Sequence, residues 1–256
     1  MNHKTSRFLS MLFGIFLIIV LVSYIPALHA QKVIINEDSI TLVDGKPFFP
    51  LGLYVGNSPA TKEAYQELDE ISNSPFNTIL NYEINSGSID QIRNYLDAVN
   101  RSGLKIIYSV KDFYEGTKYY PKKLDKYKGE EEMARGIINE FKYHPSILAW
   151  YHNDELPEKY ISRLKRRYKM IKDLDKNHPT WSVMFQISSA KSYFDTTDII
   201  GIDPYPIPNK PISLVSEWIK AVNDVSGSKK PIWVALQAHN TSIYLKDKHR
   251  SPTYEE

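Results

Sequence analysis

Short apolar runs alternate with amphipathic helical stretches along most of this chain, and that alternation is its strongest constraint. The apolar runs fall at 48–55, 77–82, 104–110, 147–151, 180–185, 198–203 and 231–236. Helical spacing fills the gaps at 61–74, 88–102, 130–143, 157–177, 190–194 and 214–225; in the first of these Ala64, Tyr65, Leu68 and Ile71 share one face. Strands that are apolar throughout, each leading into a helix, call for a parallel sheet covered by helices. Seven such steps within about 210 residues fit an α/β fold of the (β/α)8 TIM-barrel type better than a doubly wound sheet. No Gly-x-Gly-x-x-Gly follows any strand, which argues against a dinucleotide fold.

Local signals agree. Val33 to Ile40 and Thr41 to Val43, with the tight-turn pair Asp44-Gly45, predict a small hairpin ahead of the barrel. Ser88 and Gln91 have the spacing of a capping box, and Gly103 stops that helix. The strand count falls one short of eight. Thr253 and Glu256 form another capping-box pattern, after Ser251-Pro252, so a helix is announced where the sequence stops. The expectation is an incomplete barrel over 31–256, a fragment of about seven strands that lacks its last helix and strand.

Residues 1–30 read as a targeting segment: Lys4 and Arg7, then an uncharged apolar run from Met11 to Val22, then Ala27-Leu28-His29-Ala30 as a cut site. The competing reading is an uncleaved membrane anchor, because the apolar stretch can be counted on to Leu28. Either way the protein is expected to be secreted or held at the cell envelope, touching membrane only through this segment. Lys4 and Arg7 are its only charged residues, so 31–256 carries balanced charge and gives no hint of a nucleic-acid partner. The chain has no cysteine, which excludes disulfides and thiolate chemistry. No His pair has metal-site spacing, and neither a metal nor another cofactor is expected.

The chemistry is expected at the end of the fourth barrel strand. Ile147 to Tyr151 is apolar, and His152-Asn153-Asp154-Glu155 follows at once, with Pro157 opening a helix. Four polar residues there are not expected to be core filler, because unpaired polar groups in a core are costly. The carboxyl ends of parallel strands are where such folds bind ligands. The bland alternative is that Glu155 is only an acid favoured at a helix N-terminus. His152 reads as a hydrogen-bonded structural residue. The loop at 111–129, rich in Lys and Tyr, lies on the same face, as a cleft wall or simply as a solvated lysine loop.

Several stretches resemble the clan A (β/α)8 glycoside hydrolases and their family 2, 5 and 42-like relatives. Asp44-Gly-Lys-Pro-Phe-Phe-Pro-Leu-Gly-Leu-Tyr54 resembles their entry strand, and 144–155 their fourth strand. Asp198-Ile-Ile-Gly-Ile-Asp-Pro-Tyr-Pro206 resembles their sixth, and 250–256 the segment before the last helix. The resemblance implies a carbohydrate substrate and O-glycosidic bond hydrolysis. It makes Glu155 the general acid/base, gives the preceding position to sugar binding, and gives Tyr205 a place beside the nucleophile. Two departures stand out. Asp154 precedes Glu155 where the family has Asn, although Asn153 is adjacent. The seventh strand ends in Gln237 where the family has a nucleophilic Glu, and an amide cannot attack an anomeric carbon as a carboxylate does.

Three readings stay open. Glu155 could donate a proton with Asp203, Glu83 or Asp154 as second carboxylate. Asp154 and Glu155 could serve a substrate-assisted reaction on a 2-acetamido sugar. Or the barrel could bind glycan without cleaving it. The candidate catalytic residues are Glu155, Asp154 and Asp203; the candidate sugar contacts are Asn153, Tyr205, Gln237, Tyr54, Glu83 and Tyr151. The bland readings are a turn-forming Asp203 and tyrosines that only pack the barrel.

Overall fold

In the computed structural model, residues 31–184, 187–227, 230–240 and 250–256 are described. The leader expected over 1–30 lies outside them, and so does Phe185 at the end of the fifth apolar run. Among the described residues no helix is long and apolar enough to cross a membrane.

The chain opens with three short antiparallel strands, β1 (Val33–Ile35), β2 (Thr41–Val43) and β3 (Lys46–Pro47). Asp44 and Gly45 join the last two with φ of 49° and 79°, the positive pair that the Asp-Gly signal anticipates. There follow β4 (Gly52–Val55), α1 (Lys62–Ser72), β5 (Thr78–Asn81), α2 (Ile89–Arg101) and β6 (Lys105–Ser109). The 111–129 segment holds a small hairpin of β7 (Lys123–Leu124) and β8 (Tyr127–Lys128). Then come α3 (Glu130–Phe141), β9 (Ile147–Asp154), α4 (Ile161–Leu174), β10 (Thr180–Met184), α5 (Ala190–Tyr193), β11 (Ile199–Ile202), α6 (Leu214–Ser226) and β12 (Ile232–Val234).

Seven strands form one curled parallel sheet in the order β4-β5-β6-β9-β10-β11-β12, which is chain order. Each apolar run became a strand and each helical stretch a helix beside it, as in a partly built barrel. No pairing joins the outer strands β4 and β12 among the described residues, so a closed eight-stranded barrel is not what they form. The Ser88 hydroxyl accepts from the Gln91 N–H, and Gln91 accepts from the Ser88 N–H, completing the capping box of α2.

Apolar residues bury on both faces of the sheet. Outward, Ile79, Ile106, Tyr108, Ile147 and Trp150 pack under α1–α3 with Leu68, Leu96, Ile137 and Phe141. Inward, Leu80, Ile107, Ala149, Tyr151, Trp181, Val183 and Ile199 fill the concave face with rings in contact, Tyr151–Trp181 at 4.9 Å. Gly201 belongs to this face: a Cβ there would meet the Trp181 indole nitrogen and a Val183 methyl at 2.6 Å. The hairpin closes the amino-terminal end, with Val33, Ile35 and Val43 against the inner cluster and the Val33 N–H bonded to the Asn177 carbonyl at 2.7 Å. Among the described residues the opposite end, where the strands finish, is open.

Candidate active site

β9 runs three residues past its apolar core. His152 and Asn153 are completely buried, which corrects the expectation that polar residues here must face a ligand. The cause is a bulge. Trp181 stands opposite Tyr151 and Ser182 opposite Asn153, so His152 is the extra residue. Its Nδ1 lies 3.4 Å from the Tyr114 hydroxyl. Burial, and then the nearby Arg167 charge, push its pKa down to about 3, so it is neutral. Asn153 spends its whole amide on the protein. Nδ2 donates to Ser182 Oγ at 2.8 Å and to the Val183 carbonyl at 3.0 Å, while Oδ1 accepts from the Leu156 N–H at 3.1 Å.

That clamp holds a strained residue. Glu155 has φ of +53°, left-handed backbone that costs a side-chain-bearing residue on the order of 1–2 kcal/mol. Its own N–H is tied to the Val183 carbonyl at 3.1 Å. An acid that merely decorated a helix start would need no such conformation, whereas residues held this way cluster at functional sites. The turn presents the Glu155 side chain, exposed, to the open end of the sheet.

Glu155 meets Asp203 there. The two carboxyl groups are close enough for each to bear on the other's protonation, and two carboxylates so placed are relieved by holding one proton between them. Loss of hydration raises the pKa of both, in full for buried Asp203 and in part for Glu155, whose surroundings crowd it although its side chain reaches solvent. The Glu155 contact and the charge of Asp154 raise Asp203 further, whereas for Glu155 the same contact works against the rise. Asp203 is the member that keeps the proton. It is only 7% exposed, and its Oδ1 is buried with no hydrogen-bond partner, which a neutral acid tolerates far better than a carboxylate. The turn-forming position before Pro204 therefore holds a buried acid at the end of β11.

Asp154 is fixed separately. Its Oδ1 accepts from the Tyr151 hydroxyl at 2.7 Å, and Lys111 Nζ stands 3.4 Å from Oδ2. Lys111 also pairs with Asp112 at 2.9 Å and lies 4.7 Å from the centre of the Tyr82 ring. Tyr82 stacks on Tyr54 at 5.2 Å. Burial first, then the nearness of Tyr205, Asp154 and Asp203, raise the pKa of the Tyr54 hydroxyl, so it stays a neutral donor. Tyr205 packs edge-on to His239 with centroids 5.0 Å apart.

These groups line a cleft of about 960 Å³, near the upper end of the ~300–1,000 Å³ usual for small-ligand sites. Its floor is Asp154, Glu155 and Asp203. Tyr82, Glu83 and Asn85 form one wall, Lys111 to Pro121 another, and Tyr205 to Asn209 a third. Of the sequence candidates, Glu155, Asp154, Asp203, Glu83 and Tyr205 come together here. Tyr54 stacks on Tyr82 and is not part of the lining, and Tyr151 is buried with its hydroxyl on Asp154. Gln237 is committed elsewhere. Its Oε1 accepts from the Ile207 N–H at 2.9 Å and its Nε2 donates to the Ile207 carbonyl at 3.0 Å, so it anchors the loop after β11. Lys111, Asp112, Tyr82 and Tyr119 were not among the candidates. The strand-end rule that singled out Glu155 would have found the first two, directly after β6.

No protein-family model matches the sequence, and no curated protein matches it. Solved structures do share its fold. A GH2 β-galacturonidase from Eisenbergiella tayi, bound to galacturonate, superimposes with a TM-score of 0.62 at 16% identity, over 82% of this chain and 39% of its own. An FMN-binding β-glucuronidase from Facaelibacterium prausnitzii gives 0.62 at 14%, over 82% and 33%. β-Glucuronidase 2 of Bacteroides uniformis gives 0.62 at 16%, over 82% and 27%. The chain thus spans between 27% and 39% of the length of these enzymes. At such identities the likeness is one of fold: this sheet and its helices are arranged as in the barrels of family 2 glycoside hydrolases.

Proposed function

We propose that the chain is a glycoside hydrolase-like protein that cleaves an O-glycosidic bond, with Glu155 as the proton donor. The observation that carries this is the neighbouring Glu155 and Asp203 carboxyls, which we take to share one proton, in a cleft at the carboxyl ends of a parallel sheet. Carboxylic acids kept protonated near neutral pH are what leaving-group protonation needs. Asp203 acts as the reservoir. The one proton of the pair, held mainly on Asp203, crosses to Glu155 and from there to the leaving oxygen, and a proton from the water that completes hydrolysis returns to the pair.

On this reading Asp203 does not serve as the second carboxylate of a two-carboxylate mechanism. Those stand ~5–5.5 Å apart in retaining enzymes and ~6.5–9.5 Å apart in inverting ones, with the sugar between them. Two groups sharing a proton leave no such space. Attack on the anomeric carbon then falls to a water held by Asp154 or Glu83, or to a 2-acetamido group of the substrate itself. Because Gln237 supplies no carboxylate, the rival reading is a barrel that binds glycan without cleaving it. The basic-then-apolar start at 1–30 supports export of this activity, which fractionation of cells expressing the whole chain would test.

Screening aryl glycosides against the whole chain, Glu155→Gln and Asp203→Asn separates the readings. A hydrolase loses at least ~100-fold in kcat with either change, the usual worth of positioned acid catalysis. A wild-type chain that binds a glycoside, yet releases no aglycone from any of the panel, would refute hydrolysis and leave the binding reading.

A further inference from the structure

We infer that this cleft takes uncharged or amino-bearing sugars and rejects uronic acids, unlike the galacturonidase and glucuronidases whose fold it shares. The inference rests on the carbohydrate reading above and deepens it. Recognising a uronate requires a free cation within reach of its carboxylate, usually a guanidinium or an ammonium group. Two described cations line the cleft: Lys111, whose charge is balanced by carboxylates, and Lys118, an exposed side chain held to a neutral tyrosine. Lys111 is buried between Asp112 and Asp154 with the Tyr82 face against it. Lys118 donates to the Tyr119 hydroxyl at 2.9 Å and sits 4.7 Å from that ring's centre.

Against them stand Glu83, Asp112, Asp154, Glu155 and Asp203. With one proton held by the Glu155–Asp203 pair, the described lining keeps two net negative charges. A sugar carboxylate entering this space meets like charge in a concave site that concentrates the field. A hydroxyl or an N–H meets acceptors, and an ammonium group meets the carboxyls of Glu83 and Glu155, which Lys111 does not engage.

The test is calorimetric binding to the folded Glu155→Gln chain, which cannot turn ligand over. The probes are p-nitrophenyl glycosides in gluco and galacto configuration, each as the hexoside, the 2-amino sugar, the 2-acetamido sugar and the uronide. The uronide is expected to bind at least ~10-fold more weakly than its hexoside at low salt, with the gap closing as salt screens the cleft. Asp112→Asn, assayed in the same background, should narrow the uronide-to-hexoside ratio at low salt; Lys118→Met should widen it or leave it unchanged. A uronide that binds as well as its hexoside, or better, overturns the inference while leaving the hydrolase reading intact. Failure of every probe to bind overturns it too. Selective binding with no release of aglycone by the wild-type chain supports the inference and defeats the hydrolase reading instead.

Discussion

Replacing Asp203 by Asn tests the shared proton through stability. Asn is nearly isosteric, is neutral at every pH, and offers an N–H to Glu155 in place of the acid proton. In the wild type the Asp203 pKa is raised from 3.8 to about 9 by burial and by Glu155. A group whose folded pKa lies above its unfolded value contributes stability that is complete below the unfolded pKa and is lost as pH rises through the folded one. The sensitive window therefore runs from about 4 to about 9. Within it one retained proton costs at most about 1.4 kcal/mol per pH unit. Buried His152 has the opposite sign, with a folded pKa lowered from 6.5 to about 3, so its contribution is lost only as pH falls below about 6.5. Between pH 6.5 and 8.5 the wild type should lose up to ~3 kcal/mol that Asp203→Asn does not lose. At roughly 2–4 °C per kcal/mol for a domain of this size, the Tm difference drifts by ~6–12 °C. Urea unfolding at several pH values in that range measures it. Parallel pH dependences for the two proteins would refute the shared proton.

Three further outcomes follow from the same geometry. With φ of +53° at 155, Glu155→Gly should be more stable than Glu155→Ala by about 1 kcal/mol, though both lose the carboxyl; equal urea midpoints would place no strain there. Asn153→Ala strips partners from Ser182, Val183 and Leu156 and should cost ~2–4 kcal/mol in urea unfolding while lowering hydrolysis through a misplaced Glu155; a fully stable, active variant would contradict the clamp. Gln237→Glu puts a carboxylate against the Ile207 carbonyl that the amide now satisfies, so it should destabilise by ~1–3 kcal/mol and bring no gain in kcat; a large gain would mean the residue faces the sugar after all.

The sheet was legible because buried parallel strands are written as uninterrupted apolar runs, and helices such as 88–102 carry both a cap and a stop. The hairpin was legible for the same reason, since Asp44-Gly45 fits one turn geometry. At the site, strand-end placement located Glu155, Asp154 and Asp203. It could not tell which polar residues turn inward, because that is decided by the bulge at His152. One extra residue there reverses the inside–outside alternation, and Asn153, read as a sugar contact, becomes the clamp beneath the Glu155 turn. Gln237 misleads in a similar way. It occupies a nucleophile's place in the sequence, but its partner, the Ile207 backbone, is 30 residues away, and only the fold brings the two together. Lys111 was hidden by its loop: a lysine among lysines and tyrosines reads as solvated until Asp112, Asp154 and Tyr82 close around it.

The most direct measurement is a carbon-13 titration of the Glu and Asp side-chain carboxyls, with Glu155→Gln and Asp203→Asn used to assign the two signals. A shared proton gives two coupled resonances, one of which keeps the shift of a neutral acid well above pH 6 and loses that behaviour when its partner is replaced. Two independent carboxyls titrating near pH 4, each unmoved by loss of the other, would contradict it.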